Sequence, residues 1–421
     1  MPRLLYTLLL WLLLPWALLH LLWRSRLQPE YRHHWGERFG FYPARKNTQP
    51  IIWIHAVSVG ETRAAQPLVT ALQGRYPDHH ILLTHMTPTG RETSTTLFGD
   101  KVERVYLAYD YPNAVHRFLH HWQPVFGIIM ETELWPNLVA ACAQRHIPLM
   151  LANARLSQRS AKRYDRLAAL TRVALSQLAG VAAQAPGDAQ RLTQLGAKQV
   201  AVLGNIKFDI DPPPAQLAIG EVFRQRIGDR PVFLCASTRE GEESLILAAW
   251  KAAPRGNALL LIVPRHPQRF AEVAALAVEQ GYVTQRRSDE QPVSATTEVW
   301  IGDSLGEMFG YYSACDVAFV GGSLLDFGSQ NLIEPCAVGK PVLIGPSTYN
   351  FAEAASNALA AKAVVQIDSA EALVTTALGL LDNPSVREAM GIAGLAFTGK
   401  HRGATERTLA WIEKTLSPAA R

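Results

Sequence analysis

Between residues 51 and 210 the chain repeats one pattern: a short apolar, β-branched run, a polar turn, then a stretch with helical spacing. The runs are Ile51–Val57, Ile81–Thr84, Val102–Leu107, Val125–Met130, Pro148–Leu151, Val181–Ala183 and Val200–Leu203. Helical stretches such as Thr62–Gln73 and Asn137–Arg145 lie between them. Unbroken apolar runs alternating with helices predict βαβ units and a mostly parallel sheet covered on both faces. The pattern breaks at Asp211-Pro212-Pro213-Pro214, because three consecutive prolines continue neither a helix nor a central strand. A second series then runs through Val232–Cys235, Leu259–Val263, Val299–Ile301, Val317–Val320, Val342–Ile344 and Val364–Ile367. The expected fold is therefore α/β: two Rossmann-like domains, residues 51–210 and 217–421, joined by a linker at 211–216. Such domains, facing a central cleft, bind ligands at the carboxyl ends of their strands.

The N-terminus follows a different rule. Leu4 to Trp23 is a 20-residue run whose only polar members, besides its tryptophans, are Tyr6, Thr7 and His20. At 1.5 Å per residue it spans roughly 30 Å, the thickness of a hydrocarbon core. Residues 1–24 are thus expected to form a membrane-anchor helix, followed by an Arg-, His- and Pro-rich tether over 25–50. Arg24, Arg26, Arg32 and Arg38 follow the run, against Arg3 before it, which puts the body on the cytoplasmic side. A cleaved signal peptide fits less well, since no small-residue cleavage site follows and the basic flank is on the wrong side. A helix lying in the membrane interface is the other alternative.

Composition narrows the picture only a little. Length 421, with 48% hydrophobic and 18% charged residues, suits two globular domains rather than disorder. The net charge of +5 invites an acidic partner; with an anchor present, lipid headgroups or a phosphorylated substrate are expected rather than nucleic acid. Cys142, Cys235, Cys315 and Cys336 form no CxxC pair and read as reduced, buried thiols.

The chemistry concentrates where strands end. His55-Ala-Val-Ser58-Val-Gly60-Glu61-Thr62 puts a carboxylate in the first turn of a helix, a position that also helps keep a base ionised. Met86-Thr-Pro-Thr-Gly90 offers hydroxyls at a turn, for sugar binding or for a simple helix cap. Met130-Glu131-Thr-Glu133-Leu-Trp135-Pro136-Asn137 places two acids beside a core strand. Arg155, Arg159, Lys162, Arg163 and Arg166 are expected on one helix face, a solvated stripe or a surface for acceptor phosphate or lipid. Lys207 closes the first domain, while Asp209-Ile-Asp211 spells a DxD that runs straight into prolines. In the second domain, Ser237–Glu243 and Gly321-Gly322-Ser323 look like amide nests for an anion. Pro264-Arg265-His266-Pro267 and Asn331-Leu-Ile-Glu334-Pro335 end two strands, the latter with a carboxylate suited to a ribose diol. No GxGxxG, Walker A or HExxH is present.

Together these blocks resemble the 3-deoxy-D-manno-octulosonic acid (Kdo) transferases of Gram-negative lipopolysaccharide assembly. Trp35-Gly-Glu37-Arg38, HAVSVGET, MTPTG, Tyr109-Asp110-Tyr-Pro112, ETELWPN, NARLS, Lys207-Phe-Asp209, PRHP, Gly302-Asp303-Ser304-Leu-Gly306-Glu307 and Asn331…Glu334-Pro carry the resemblance through nearly the whole chain. It implies a GT-B fold with an acceptor domain first and a CMP-sugar-binding domain second. It implies an inverting glycosyltransferase that moves Kdo from CMP-Kdo to a lipid A precursor at the inner membrane, with no cofactor or metal required. By resemblance Glu61 is the general base, and Glu131 and Lys207 stabilise the transition state. Arg265 and His266, then Leu305, Gly306 and Glu307, then Asn331, Leu332, Ile333 and Glu334, match the stretches that hold CMP. The family's usual Gly-Gly-His-Asn is replaced here by Gly328-Ser329-Gln330-Asn331, and glutamine cannot supply an imidazolium charge. Two other readings keep parts of this pattern: a GT-B enzyme or epimerase using a UDP-sugar, and a membrane-tethered nucleotide-binding protein without catalysis.

Overall fold

A computed structural model describes residues 2–45 and 47–417. The chain divides into two compact units, Met1–Asp209 with Arg402–Arg421, and Ile210–His401. In the first unit β1 (Ile51–His55), β2 (His80–His85), β3 (Glu103–Tyr106), β4 (Pro124–Met130), β5 (Leu149–Ala154), β6 (Gly180–Ala183) and β7 (Val200–Val202) form one parallel sheet. Its order is β3-β2-β1-β4-β5-β6-β7. In the second unit β8 (Val232–Thr238), β9 (Leu259–Pro264), β10 (Thr284–Arg286), β11 (Val299–Ile301), β12 (Val317–Val320), β13 (Val342–Ile344) and β14 (Val364–Gln366) form another, ordered β10-β11-β9-β8-β12-β13-β14. All strand pairs are parallel in this sheet too. Each apolar run of the sequence is a strand; β10 alone was not legible, because Thr284-Gln285-Arg286 is a half-covered polar edge strand.

The helices that bear on the site are α1 (Pro2–Leu27), α2 (Val59–Arg75), α3 (Pro136–Gln144), α4 (Gln158–Asp165), α5 (Ala168–Ser176), α6 (Glu242–Ala252) and α7 (Ala404–Leu416). Burial explains why the strands are so uniformly apolar. In the first unit, Trp53 and Phe118 pack on one face of the sheet, Ile52, Ile54 and Leu68 on the other. Gly127 is dictated by this packing: a Cβ there would lie 2.5 Å from the Trp53 ring. The second sheet is covered likewise, by Trp250 and Phe319 on one face and by Trp300 and Tyr311 on the other.

Residues 217–421 do not stay together as the sequence pattern suggested. After His401 the chain returns to the first unit, where Ala404, Leu409 and Ile412 of α7 enter its core beside Ile52 and Leu68. Asp209 explains the return: its carboxylate accepts from the backbone N–H of Gly403 at 2.6 Å and from that of Thr405. It is an anionic cap on a helix N-terminus, which accounts for this acid of the DxD without a metal.

Candidate active site

Strand order reverses between β1 and β4 in the first unit, and this is where its acids collect. Glu61 lies in the first turn of α2, directly after β1. Its carboxylate accepts from the Val57 backbone N–H at 2.8 Å and from the Ser58 hydroxyl at 3.2 Å. These bonds hold it in the acceptor form, yet burial, with help from Glu131 and Glu133, raises its pKa to about 7. A carboxylate poised at neutral pH is suited to general-base work.

Glu131 follows β4 in a left-handed conformation, φ 57°, uncommon for this residue type and a form of strain met at functional sites. Lys207 Nζ donates to Glu131 Oε1 at 2.8 Å. Two residues on, the Glu133 carboxyl is also pushed up, by burial first and Glu131 second. The structure thus brings Glu61, Glu131 and Lys207 into one electrostatic neighbourhood. It also adds Glu133, which the site assignment from sequence left out although it stands in the same block.

Other supports were not legible as such. Asn153, at φ 53°, accepts from the Ile206 N–H at 3.0 Å through its side chain, and so positions the turn Ile206–Phe208 that carries Lys207. Asp110 accepts from the backbone N–H groups of Asn137 and Leu138 at 3.0 and 2.8 Å, capping α3 at the end of ETELWPN. The basic stripe is narrower than expected. Arg155 lies in the turn after β5 and Arg166 just past α4, so only Arg159, Lys162 and Arg163 are on the helix. Arg159, Lys162, Arg163 and Arg166 are exposed.

In the second unit Arg265 and His266 follow β9, Leu305–Glu307 follow β11, and Asn331–Glu334 lie beyond β12, all at the carboxyl edge of one sheet. Arg265 Nε donates to Gln330 Oε1 at 3.1 Å, so the residue that replaces the expected histidine orients this guanidinium. His266 is held below the usual imidazole range by burial and by Arg239 and Arg265. Glu307 is clamped by Arg287, at 2.9 and 2.8 Å, and Asn331 Nδ2 donates to Glu334 Oε1 at 3.1 Å. Gly306 has φ 79° and Leu305 is exposed, whereas the side chains of Leu332 and Ile333 are core. Only the backbone of the last two could meet a ligand.

One expected anion site is already filled. Glu242, the first residue of α6 and fully buried, accepts from the N–H groups of Arg239 and Gly322 with one oxygen, at 2.9 and 2.7 Å. With the other it accepts from Leu324 at 3.0 Å. The nest formed by the Gly321-Gly322-Ser323 turn therefore holds the protein's own carboxylate rather than a phosphate.

Residues 33–210 match the sequence profile of the family described as 3-deoxy-D-manno-octulosonic-acid transferase (kdotransferase). The 3-deoxy-D-manno-octulosonic acid transferase of Bordetella pertussis is 45% identical over 377 residues, 87% of either chain. That of Haemophilus influenzae is 40% identical over 426 residues and 99% of both. This chain belongs to the Kdo transferase family. It is accordingly an enzyme, and the fold is the GT-B type. The UDP-GlcNAc 2-epimerase of Neisseria meningitidis superposes with a TM-score of 0.60 over 87% of this chain and all of its own, at 16% identity. At that identity the likeness speaks for architecture alone. Membership of the Kdo transferase family rests on the sequence, not on the two Rossmann-like sheets.

Proposed function

We propose that this protein transfers Kdo from CMP-Kdo to a lipid A precursor, an acylated glucosamine bisphosphate disaccharide, with inversion at the ketosidic carbon. The observation that supports it most is Glu61: a carboxylate at the reversal of strand order, held by Val57 and Ser58 and tuned to about 7, within a family of transferases. In this reading Glu61 takes the proton of the acceptor hydroxyl as its oxygen bonds to the Kdo carbon and the bond to CMP breaks. CMP departs with the electron pair. Glu131 and Lys207 stabilise the charge that develops, and Lys207 keeps Glu131 from adding its full negative charge to the base.

The second unit holds the nucleotide. Arg265 and His266 donate to the phosphate, Glu334 accepts from the ribose diol, and Leu305–Glu307 and the backbone of Asn331–Ile333 complete the contact. α1 holds the enzyme at the cytoplasmic face of the inner membrane, and the exposed arginines and lysine of α4 meet anionic headgroups or acceptor phosphates. Purified full-length protein given CMP-Kdo and a tetraacyl lipid A precursor should yield Kdo-bearing lipid by mass spectrometry. Product from a UDP-sugar, with none from CMP-Kdo, would contradict the reading.

A further inference from the structure

The covered residues of α1 follow a helical repeat along nearly its whole length. Arg3, Tyr6, Thr7, Leu10, Leu14, Ala17, Leu18, Leu21 and Ser25 are partly or fully covered, and the intervening positions are exposed. The contacts along this stripe are specific. Asn137 Nδ2 donates to Thr7 Oγ1 at 3.0 Å, Tyr111 donates its hydroxyl to the Leu10 carbonyl at 2.9 Å, and Trp11 lies against the Tyr111 ring at 4.8 Å. Leu10 and Leu14 pack on the core that holds Trp53 and Phe118. Further along, Leu21 is buried, and Arg32 Nε reaches Ser25 Oγ at 3.4 Å as the chain folds back through Pro29–Arg32.

A helix bound in this way cannot also run through a bilayer away from the body. Thr7 is 17 residues before Arg24, about 25 Å along the axis. If Arg24 marked the cytoplasmic boundary of a spanning helix, Thr7 would lie near the far leaflet. Asn137 and Asp110, to which this end is tied, would then have to enter hydrocarbon or lose their partners. The opposite face of α1 resolves the conflict. Leu5, Leu8, Leu12, Trp16, Leu19 and Trp23 are all exposed along one side. Beside it, α5, which α1 touches, exposes Arg172 and Val173, with Leu167 exposed just before it, and Arg24, Arg26 and Arg32 are exposed at the other end. Apolar side chains bordered by cations fit the headgroup–acyl boundary of an anionic leaflet.

We infer that α1 lies in the plane of the membrane, one face docked on the first unit and the other sunk in the cytoplasmic leaflet, so that the enzyme is monotopic and spans nothing. The inference rests on the proposed membrane location and adds its topology. The run reads as a span in sequence because its inner face is apolar too, and that face is partly covered by protein. It also ties the membrane to the catalytic segment, since Asn137 closes the block that begins with Glu131.

The test uses the full chain in bacterial membranes. Pro2→Cys places a thiol at the amino end, and the four native cysteines are buried. A membrane-impermeant maleimide should label Pro2→Cys in lysed membranes and leave it at wild-type background in intact spheroplasts. A Thr7→Cys/Asn137→Cys pair should be joined by a short bismaleimide in the same membranes. Labelling of Pro2→Cys in intact spheroplasts, or failure of the pair to cross-link while the protein stays in the membrane fraction, overturns the in-plane placement. Recovery of the wild-type chain in the soluble fraction overturns the membrane reading itself.

Discussion

Lys207 and Glu131, 76 residues apart, are joined by a 2.8 Å ion pair. Each is delivered by a strained or cross-braced segment: Glu131 by its left-handed backbone, Lys207 by the turn that Asn153 holds. The pair is one-third exposed or less at both ends, so it is neither a screened surface contact nor a fully desolvated one. Lys207→Met should therefore act twice. Loss of transition-state stabilisation should lower kcat by roughly 10²-fold. The unpaired Glu131 should also push the acid limb of the pH–rate profile to higher pH, which a purely structural role would not do.

In the proposed mechanism Glu61 sets the pH dependence. Its pKa is raised from 4.5 to about 7, chiefly by burial, so the working carboxylate forms as pH rises through neutrality. Transfer should climb with pH over about 6 to 8 and then level off. Glu133→Gln removes one of the negative neighbours and should move that limb to lower pH. An unchanged limb would show that Glu133 does not face the base.

The same shift has a stability consequence. A raised folded-state pKa favours the protonated form in the fold, so this contribution is present below pH 4.5 and is lost as pH rises through about 7. Glu61→Gln should thus stabilise the fold at pH 8 by roughly 1–3 kcal/mol, raising Tm there, and change it less at pH 5. Thermal melts at the two pH values decide this. A variant that melts lower at pH 8 would show that the bonds to Val57 and Ser58 outweigh burial.

Nucleotide binding tests the second unit alone. Glu334→Ala should weaken CMP by about 1.5–3 kcal/mol in calorimetry, the range for hydrogen bonds to a charged group. Unchanged affinity in a folded variant would move the ribose contact elsewhere.

Neutralising Arg159, Lys162, Arg163 and Arg166 together should weaken binding to anionic vesicles or raise the acceptor KM, more at low salt than at high. If neither quantity moves at any ionic strength, the stripe is only solvated.

The strands were legible because both sheets are covered on two faces, so that runs such as Ile51–His55 and Leu259–Pro264 are continuously apolar. Glu61 and Glu131 could be read for a related reason: they follow such runs at strand ends, where α/β folds place their chemistry. Tertiary partners left no such trace. Nothing near Asp209 announces that α7 docks two hundred residues later, and nothing in the Gly321–Ser323 turn shows that Glu242 fills it. Asn153 and Asp110 are short polar residues whose roles depend on backbone groups brought in by other strands and helices. For α1, composition reports how apolar the helix is, not which of its faces the first unit covers.

Single-turnover transfer by Glu61→Gln, set beside Glu131→Gln and CMP affinity, decides which carboxylate is the base. Glutamine keeps the size and hydrogen bonding of Glu61 and removes its basicity. The rate should fall by roughly 10² to 10⁴, with CMP affinity unchanged because the proposal puts the nucleotide on the other unit. Near-normal turnover by Glu61→Gln, with transfer abolished in Glu131→Gln, would contradict the account and make Glu131 the base.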